Sequence, residues 1–254
     1  MTLLNFFKAT GFALFIIIIA SCKKDNAEIS GSGKVNLEFD HVVGTQALIF
    51  NSQTYMNANG DDYKVNTFKY YVSNIKFKKA DGSGVAVAES YLLINAADAS
   101  SKIQTLTNVP AGDYSGIEFT IGVDEARNFA GAQTGALDPA KGMFWSWNSG
   151  YIFLMFEGTS SKSTQASNQL FFHVGGAKAP TNAVRTASLA FPSVLRVRDN
   201  TDPDVHFFVD VASLFKGTTT ISFAATSGFH GGANGLLVAD NYAAGLFKID
   251  HIHN

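Results

Sequence analysis

Apolar and polar residues alternate in short runs along this chain, and glycine-bearing turns separate the runs. The strictest case is Val205-His206-Phe207-Phe208-Val209-Asp210-Val211. Val205, Phe207, Val209 and Val211 form one face, and His206, Phe208 and Asp210 form the other. A period of two is that of a half-buried strand. Residues 35–39 and 67–78 repeat the pattern, and the Asp81-Gly82 hairpin signal follows the second. Strands are expected next at 85–88, 91–95 and 116–123, the last after a Pro110/Gly112 turn. Residues 151–156 are apolar at every position, which predicts a central strand buried on both faces. Residues 170–174, 187–191, 194–197, 205–211 and 219–224 complete the set. Helical signals are brief: 124–130, 210–215, and 238–247 with Asp240 as a candidate cap. The expected fold class is all-β, an antiparallel β-sandwich with short helical turns.

Composition excludes several functions. Charged residues make up 16% of the chain, against about 25% in an average soluble domain. With 46% hydrophobic residues, such a chain is not a charge-driven disordered protein. A formal net charge of -2 supplies no basic field for nucleic acid. The single cysteine rules out an internal disulfide and a Cys-rich zinc site.

That cysteine has a specific context. Lys8 precedes an apolar run centred on Ile16-Ile17-Ile18-Ile19, the pattern of a secretory signal peptide. Ile19-Ala20-Ser21-Cys22 resembles the lipobox of bacterial lipoproteins, in which the cysteine is lipidated and becomes the first mature residue. The expected organisation is a signal peptide over 1–21, a flexible tether over 22–33 and one folded domain over 34–254. It predicts a protein of the cell envelope, in the periplasm or on the outer-membrane surface, held to the membrane by its lipid anchor.

Six histidines are the main candidates for chemistry. His206 lies opposite the apolar face of its strand. His173 shares a face with Phe171 and precedes Gly175-Gly176, a strand end of the kind where sites are built. His251 and His253 are two apart and point the same way in an extended segment, close enough to share a metal. His230 falls in Gly228-Phe229-His230-Gly231-Gly232, which reads as a mobile glycine loop. Imidazole suits copper, zinc, nickel and iron, and a thioether or soft π face tilts the choice toward copper. The stretch from Gly142 to Tyr151 holds both tryptophans, and if extended it sets Met143, Trp145 and Trp147 on one face. Those aromatics also fit a core plug, or a sugar-stacking platform on a glycan-binding or adhesive surface lipoprotein. No Gly-x-Ser-x-Gly elbow or Walker-type loop is present, so the chain reads as a binding protein and not as an enzyme.

Four segments resemble the MbnP-like copper-binding domain family of Gram-negative secreted proteins and lipoproteins. They are Phe68-Lys69-Tyr70-Tyr71-Val72-Ser73-Asn74-Ile75, the Lys141-to-Tyr151 tryptophan segment with Phe156-Glu157-Gly158, Phe172-His173-Val174-Gly175, and Val209-Asp210-Val211 with Leu214-Phe215. The resemblance implies a β-sandwich that binds copper through histidines. It makes His173 the best-matched ligand and His206 the second; beside the resemblance, this chain's own His251-Ile252-His253 offers further ligands. It also implies a tryptophan oxidised to kynurenine by a partner, a di-haem protein of the cytochrome c peroxidase type (the MbnH class). That tryptophan would map to Trp145 or Trp147, with Trp147 preferred. Relatives carry a histidine two residues after the modified tryptophan. Here Trp145 is followed at that spacing by Trp147, and Trp147 by Ser149.

Overall fold

The alternating segments become two facing sheets. The computed structural model describes residues 29–145 and 150–254. Cys22, Trp147 and the expected signal peptide lie outside the described residues. The chain runs through β1 (Ser32–Val43), β2 (Gln46–Ala47), β3 (Tyr55–Met56), β4 (Asp62–Lys78), β5 (Gly84–Ala86) and β6 (Tyr91–Asn95). After helix α1 (Ala99–Lys102) come β7 (Ile103–Pro110), β8 (Gly112–Ile121) and helix α2 (Glu125–Asn128). Then follow β9 (Phe144–Trp145), β10 (Gly150–Thr159), β11 (Gln169–Gly175), β12 (Arg185–Val197) and β13 (Asp204–Asp210). The last elements are β14 (Gly228–His230), helix α3 (Gly232–Gly245) and β15 (Phe247–His253).

The smaller sheet has the order β15-β13-β1-β2, with β7 also on β1. The larger has the order β12-β8-β4-β10-β11-β14, with shorter strands along β4 and β10. Their inner faces meet in an aromatic core. Phe39 stacks on Phe207 at 5.1 Å within the smaller sheet. Phe247 reaches across to Phe119 at 5.0 Å and to Tyr70 at 5.5 Å. Edge-to-face pairs of this kind add about 0.5–1.5 kcal/mol beyond burial. Residues 151–156 are all buried, as their unbroken apolar run predicts, because β10 lies between β4 and β11.

The sheets are mixed, not antiparallel throughout. β1 pairs with β13 in parallel, and β11 pairs with β14 in parallel. The register explains the first pairing, since it sets Leu37 beside Val205, Phe39 beside Phe207 and His41 beside Val209, all facing inward.

Several boundaries also differ from the sequence reading. Ser32 and Gly33, expected in the tether, already pair with Pro110 and Val109. The Pro110-to-Gly112 turn carries the chain from the smaller sheet to the larger one, after a strand at 103–110 that alternation did not reveal. Residues 187–191 and 194–197 belong to one strand, with an irregularity between Ala190 and Leu195. The final helix starts at Gly232, earlier than expected, and buries Gly235, Val238, Ala239 and Tyr242 along one stripe. Asp240 lies inside it and pairs with Arg185 at 2.7 Å, so it is not a cap.

Residues 219–224 do not form a strand. Ile221 and Phe223 do turn inward, so the alternation there is real. Side chains, however, take the backbone groups a ladder would use. Asn57 Nδ2 donates to the Ile221 carbonyl at 3.1 Å, and the Phe223 N–H donates to Asp61 Oδ2 at 2.8 Å.

Candidate metal centre

The four histidines singled out from sequence fall into two places on different sheets. His173 lies on β11 in the larger sheet. His206, on β13, and His251 and His253, on β15, converge on the outer face of the smaller one.

His173 is joined by His230, whose glycine-rich surroundings predict a loop. His230 is in β14, directly beside His173 in parallel register, while Phe229 lies beside Phe172. The signal was a repeated Phe-His dipeptide, which parallel pairing aligns side by side. The Gly231 N–H donates to the His173 carbonyl at 2.7 Å and fixes the end of the strand. Gly228 lets Phe171 approach, since a Cβ there would sit 2.3 Å from the Phe171 ring. That ring stacks on His230 at 5.1 Å.

His173 Nδ1 and His230 Nδ1 are 3.0 Å apart. On the far side of the imidazole, His173 Nε2 meets Glu157 Oε1, also at 3.0 Å. Nothing in the sequence spacing marks Glu157 as the partner of His173. It comes from β10, where it faces Phe171 diagonally across from His173. Burial lowers the His173 pKa from its ordinary value, and the Glu157 carboxylate pulls it partly back. The Glu157 contact orients the His173 ring and turns its Nδ1 toward His230. Two nitrogens at this spacing can both reach one ion at the roughly 2.0–2.1 Å typical of imidazole ligands. A carboxylate behind a ligating histidine is the usual device for fixing its tautomer. The pair opens on a depression of about 430 Å³ lined also by Asn66, Gln169 and Phe171.

Trp145 borders this pair. Its ring centroid lies 6.5 Å from that of His230, nearly edge-on, and its side chain is buried. Gly175 makes room for it, because a Cβ there would come within 2.7 Å of the indole and 2.6 Å of the Tyr151 carbonyl. Buried in this way, Trp145 presents no open ledge for a sugar ring. Met143 is fully buried in the core and does not line the depression.

The second group is shaped by a β-bulge. Val205 faces Ile252 and Phe207 faces Ile249, so two residues of β15, Asp250 and His251, oppose the single His206. Bulges of this type re-aim side chains. The His206 and His251 rings stack at 4.1 Å, and His253 closes on them at 5.4 and 4.7 Å. One nitrogen from each histidine lies within 4.8 Å of the others.

Comparison with known proteins agrees with this fold. The MbnP family model matches residues 32–231. Nothing among the curated proteins matches the chain. A solved structure of MbnP from Methylosinus trichosporium is similar, with a TM-score of 0.53 over 81% of this chain and 83% of that one. At 16% identity that likeness speaks to the fold alone. The family match, extending from β1 through β14, covers well over half of the sequence, and the chain belongs to the MbnP family.

Proposed function

We propose that this protein binds copper at the bacterial cell envelope, with His173 and His230 as protein ligands, and that it acts in copper capture or handling and not as an enzyme. The observation that carries the reading is the facing of two imidazole nitrogens at 3.0 Å with Glu157 behind one of them. Membership of the MbnP family supports it. A bound copper ion would be cargo. The chain's own residues supply the work: Glu157 holds the His173 proton on Nε2, Phe171 stacks on His230, and Trp145 lies edge-on to the His230 ring.

Trp145 is the residue we assign for oxidation to kynurenine by a di-haem partner of the MbnH class. Its support is the closeness of its ring to His230. Cys22 is the proposed lipid attachment point. Its support is the lipobox-like Ile19-Ala20-Ser21-Cys22 sequence.

Copper titration of the purified, metal-free protein tests the central claim. His173→Ala together with His230→Ala is expected to abolish the tight Cu(I) site, and unchanged Cu(I) affinity would overturn it. Peptide mass spectrometry after co-expression with the di-haem partner reads the tryptophan step. Kynurenine at Trp147 with Trp145 intact would reassign it. Cys22→Ser should move the protein from the membrane fraction to the soluble one, and persistence in the membrane would refute the anchor.

A further inference from the structure

We propose a second transition-metal site, separate from the His173/His230 pair, made by His206, His251 and His253 on the outer face of the smaller sheet. It takes a borderline divalent ion, Cu(II) ahead of Zn(II). Three observations carry it independently of the first site.

The first is convergence. The three ligand nitrogens lie within 4.8 Å of one another. His251 Nε2 and His253 Nε2 are already 3.1 Å apart. In a tetrahedral site with bonds of about 2.0–2.1 Å, neighbouring nitrogens stand about 3.3 Å apart. Rotation of the exposed His253 imidazole toward the half-buried His206 and His251 closes the difference.

The second is orientation. His251 Nδ1 meets Asp250 Oδ2 at 2.7 Å, and His206 Nδ1 meets Glu38 Oε2 at 3.4 Å. Asp250 holds a proton on His251 Nδ1 and turns its Nε2 toward His253, and Glu38 sets a negative charge beside His206. Such backing carboxylates are typical of metal-binding histidines. Asp40 adds a further negative charge on the same face, since it follows Glu38 by two along β1.

The third is construction. The bulge in β15 sets Asp250 and His251 together against His206, and without it His251 would sit in a different register. His251 and His253 also lie beyond the region matched by the MbnP family model, so this group belongs to the chain's own C-terminal strand.

Three imidazoles leave a coordination position open to solvent, as in an exchangeable site. Borderline divalent ions prefer such nitrogen donors, and Cu(II) outranks Zn(II) in the Irving–Williams order.

The test is calorimetric titration of tag-free, metal-free full chain with Cu(II) and then with Zn(II). The wild type should bind one divalent equivalent that His173→Ala/His230→Ala retains. His251→Ala/His253→Ala should lose that equivalent while keeping Cu(I) binding at the first site. Unchanged Cu(II) and Zn(II) binding in that variant overturns the proposal. So does loss of the divalent equivalent in His173→Ala/His230→Ala with an unaltered circular dichroism spectrum, since that would mean one shared site. Should the double variant fail to fold, Asp250→Asn keeps all three imidazoles. It should weaken Cu(II) about 10–100-fold at unchanged stoichiometry, and an unchanged affinity there would equally overturn the site. Failure of the His173/His230 reading leaves these outcomes untouched.

Discussion

His173 and His230, 57 residues apart in sequence, occupy directly opposed positions of a parallel strand pair, and their Nδ1 atoms come within 3.0 Å. The pairing is a product of topology. β14 returns beside β11 only after the chain has built β12, β13 and the loop between them. The position of Glu157 behind His173 turns this encounter into an oriented pair.

Glu157→Gln should therefore weaken copper binding without unfolding the protein. Glu157 is partly exposed, so its fold contribution is small. Its carboxylate fixes which His173 nitrogen is free. Removing a backing carboxylate of this type typically costs about 10–100-fold in metal affinity. Competitive Cu(I) titration at neutral pH reads the loss. An affinity equal to wild type would show that Glu157 does not orient the ring.

Gly175→Ala should disturb the same region by steric means alone. The added Cβ would meet the Tyr151 carbonyl at 2.6 Å and the Trp145 ring at 2.7 Å. Overpacking of this kind costs about 1–3 kcal/mol. Trp145 must shift, so its fluorescence spectrum should change and Cu(I) affinity should drop together. Chemical denaturation and emission spectra check both. A variant with wild-type stability and emission would mean that the indole is not held against Gly175.

Much of this molecule was legible from residue order, and the exceptions share a cause. The alternation at 205–211 and the solid apolar run at 151–156 report burial directly, and both became strands with the expected faces. Sequence also picked out His206, and His251 with His253 as a pair able to share a metal. What it could not contain was partner identity. His230 looked like part of a loop because a three-residue strand has too little pattern to announce itself, and only its neighbour β11 makes it a strand. Residues 219–224 looked like a strand because Ile221 and Phe223 alternate inward, yet Asn57 and Asp61, over 160 residues away, supply their hydrogen bonds. Burial is written locally, whereas pairing is decided by distant segments.

Asn241 illustrates the same point and yields a further prediction. It is fully buried on α3. Its Nδ2 donates to the carbonyls of Leu214 at 3.0 Å and Thr219 at 2.7 Å, and its Oδ1 accepts from the Thr219 N–H at 2.9 Å. The amide thus ties the helix to the segment after β13. Asn241→Leu removes these partners together and should cost about 1–3 kcal/mol, the usual penalty for buried polar groups left unpaired. For a domain of this size each 1 kcal/mol lowers the melting temperature by about 2–4 °C. An unchanged thermal melt would show that water replaces the amide without loss.

The pH dependence of stability rests on His41. This histidine lies between the sheets, 3.1 Å from the Tyr70 hydroxyl through Nε2, with Nδ1 buried and without a hydrogen-bond partner. Burial pushes its pKa down to about 3, and the Lys102 cation adds to the effect. The folded protein therefore keeps His41 neutral, while the unfolded chain protonates it near the ordinary value of about 6.5. Between these two values the unfolded state holds the extra proton. The stabilisation is complete above about pH 6.5 and drains away as the pH falls, by up to about 1.4 kcal/mol per unit. His173, lowered mainly by burial, acts in the same direction from the same upper limit. Carboxylates held low by hydrogen bonds or lysines, such as Asp62 and Glu118, destabilise only below the ordinary carboxylate range of about 4. Stability of the metal-free protein should accordingly decline between about pH 6.5 and about pH 4.5, a window too high for those carboxylates. His41→Leu removes the titration but leaves the Tyr70 hydroxyl without this partner. It should be less stable than wild type at neutral pH and show a shallower decline on acidification, so the two curves converge. Urea denaturation across that window measures both slopes. Parallel curves would assign the acid sensitivity to groups other than His41.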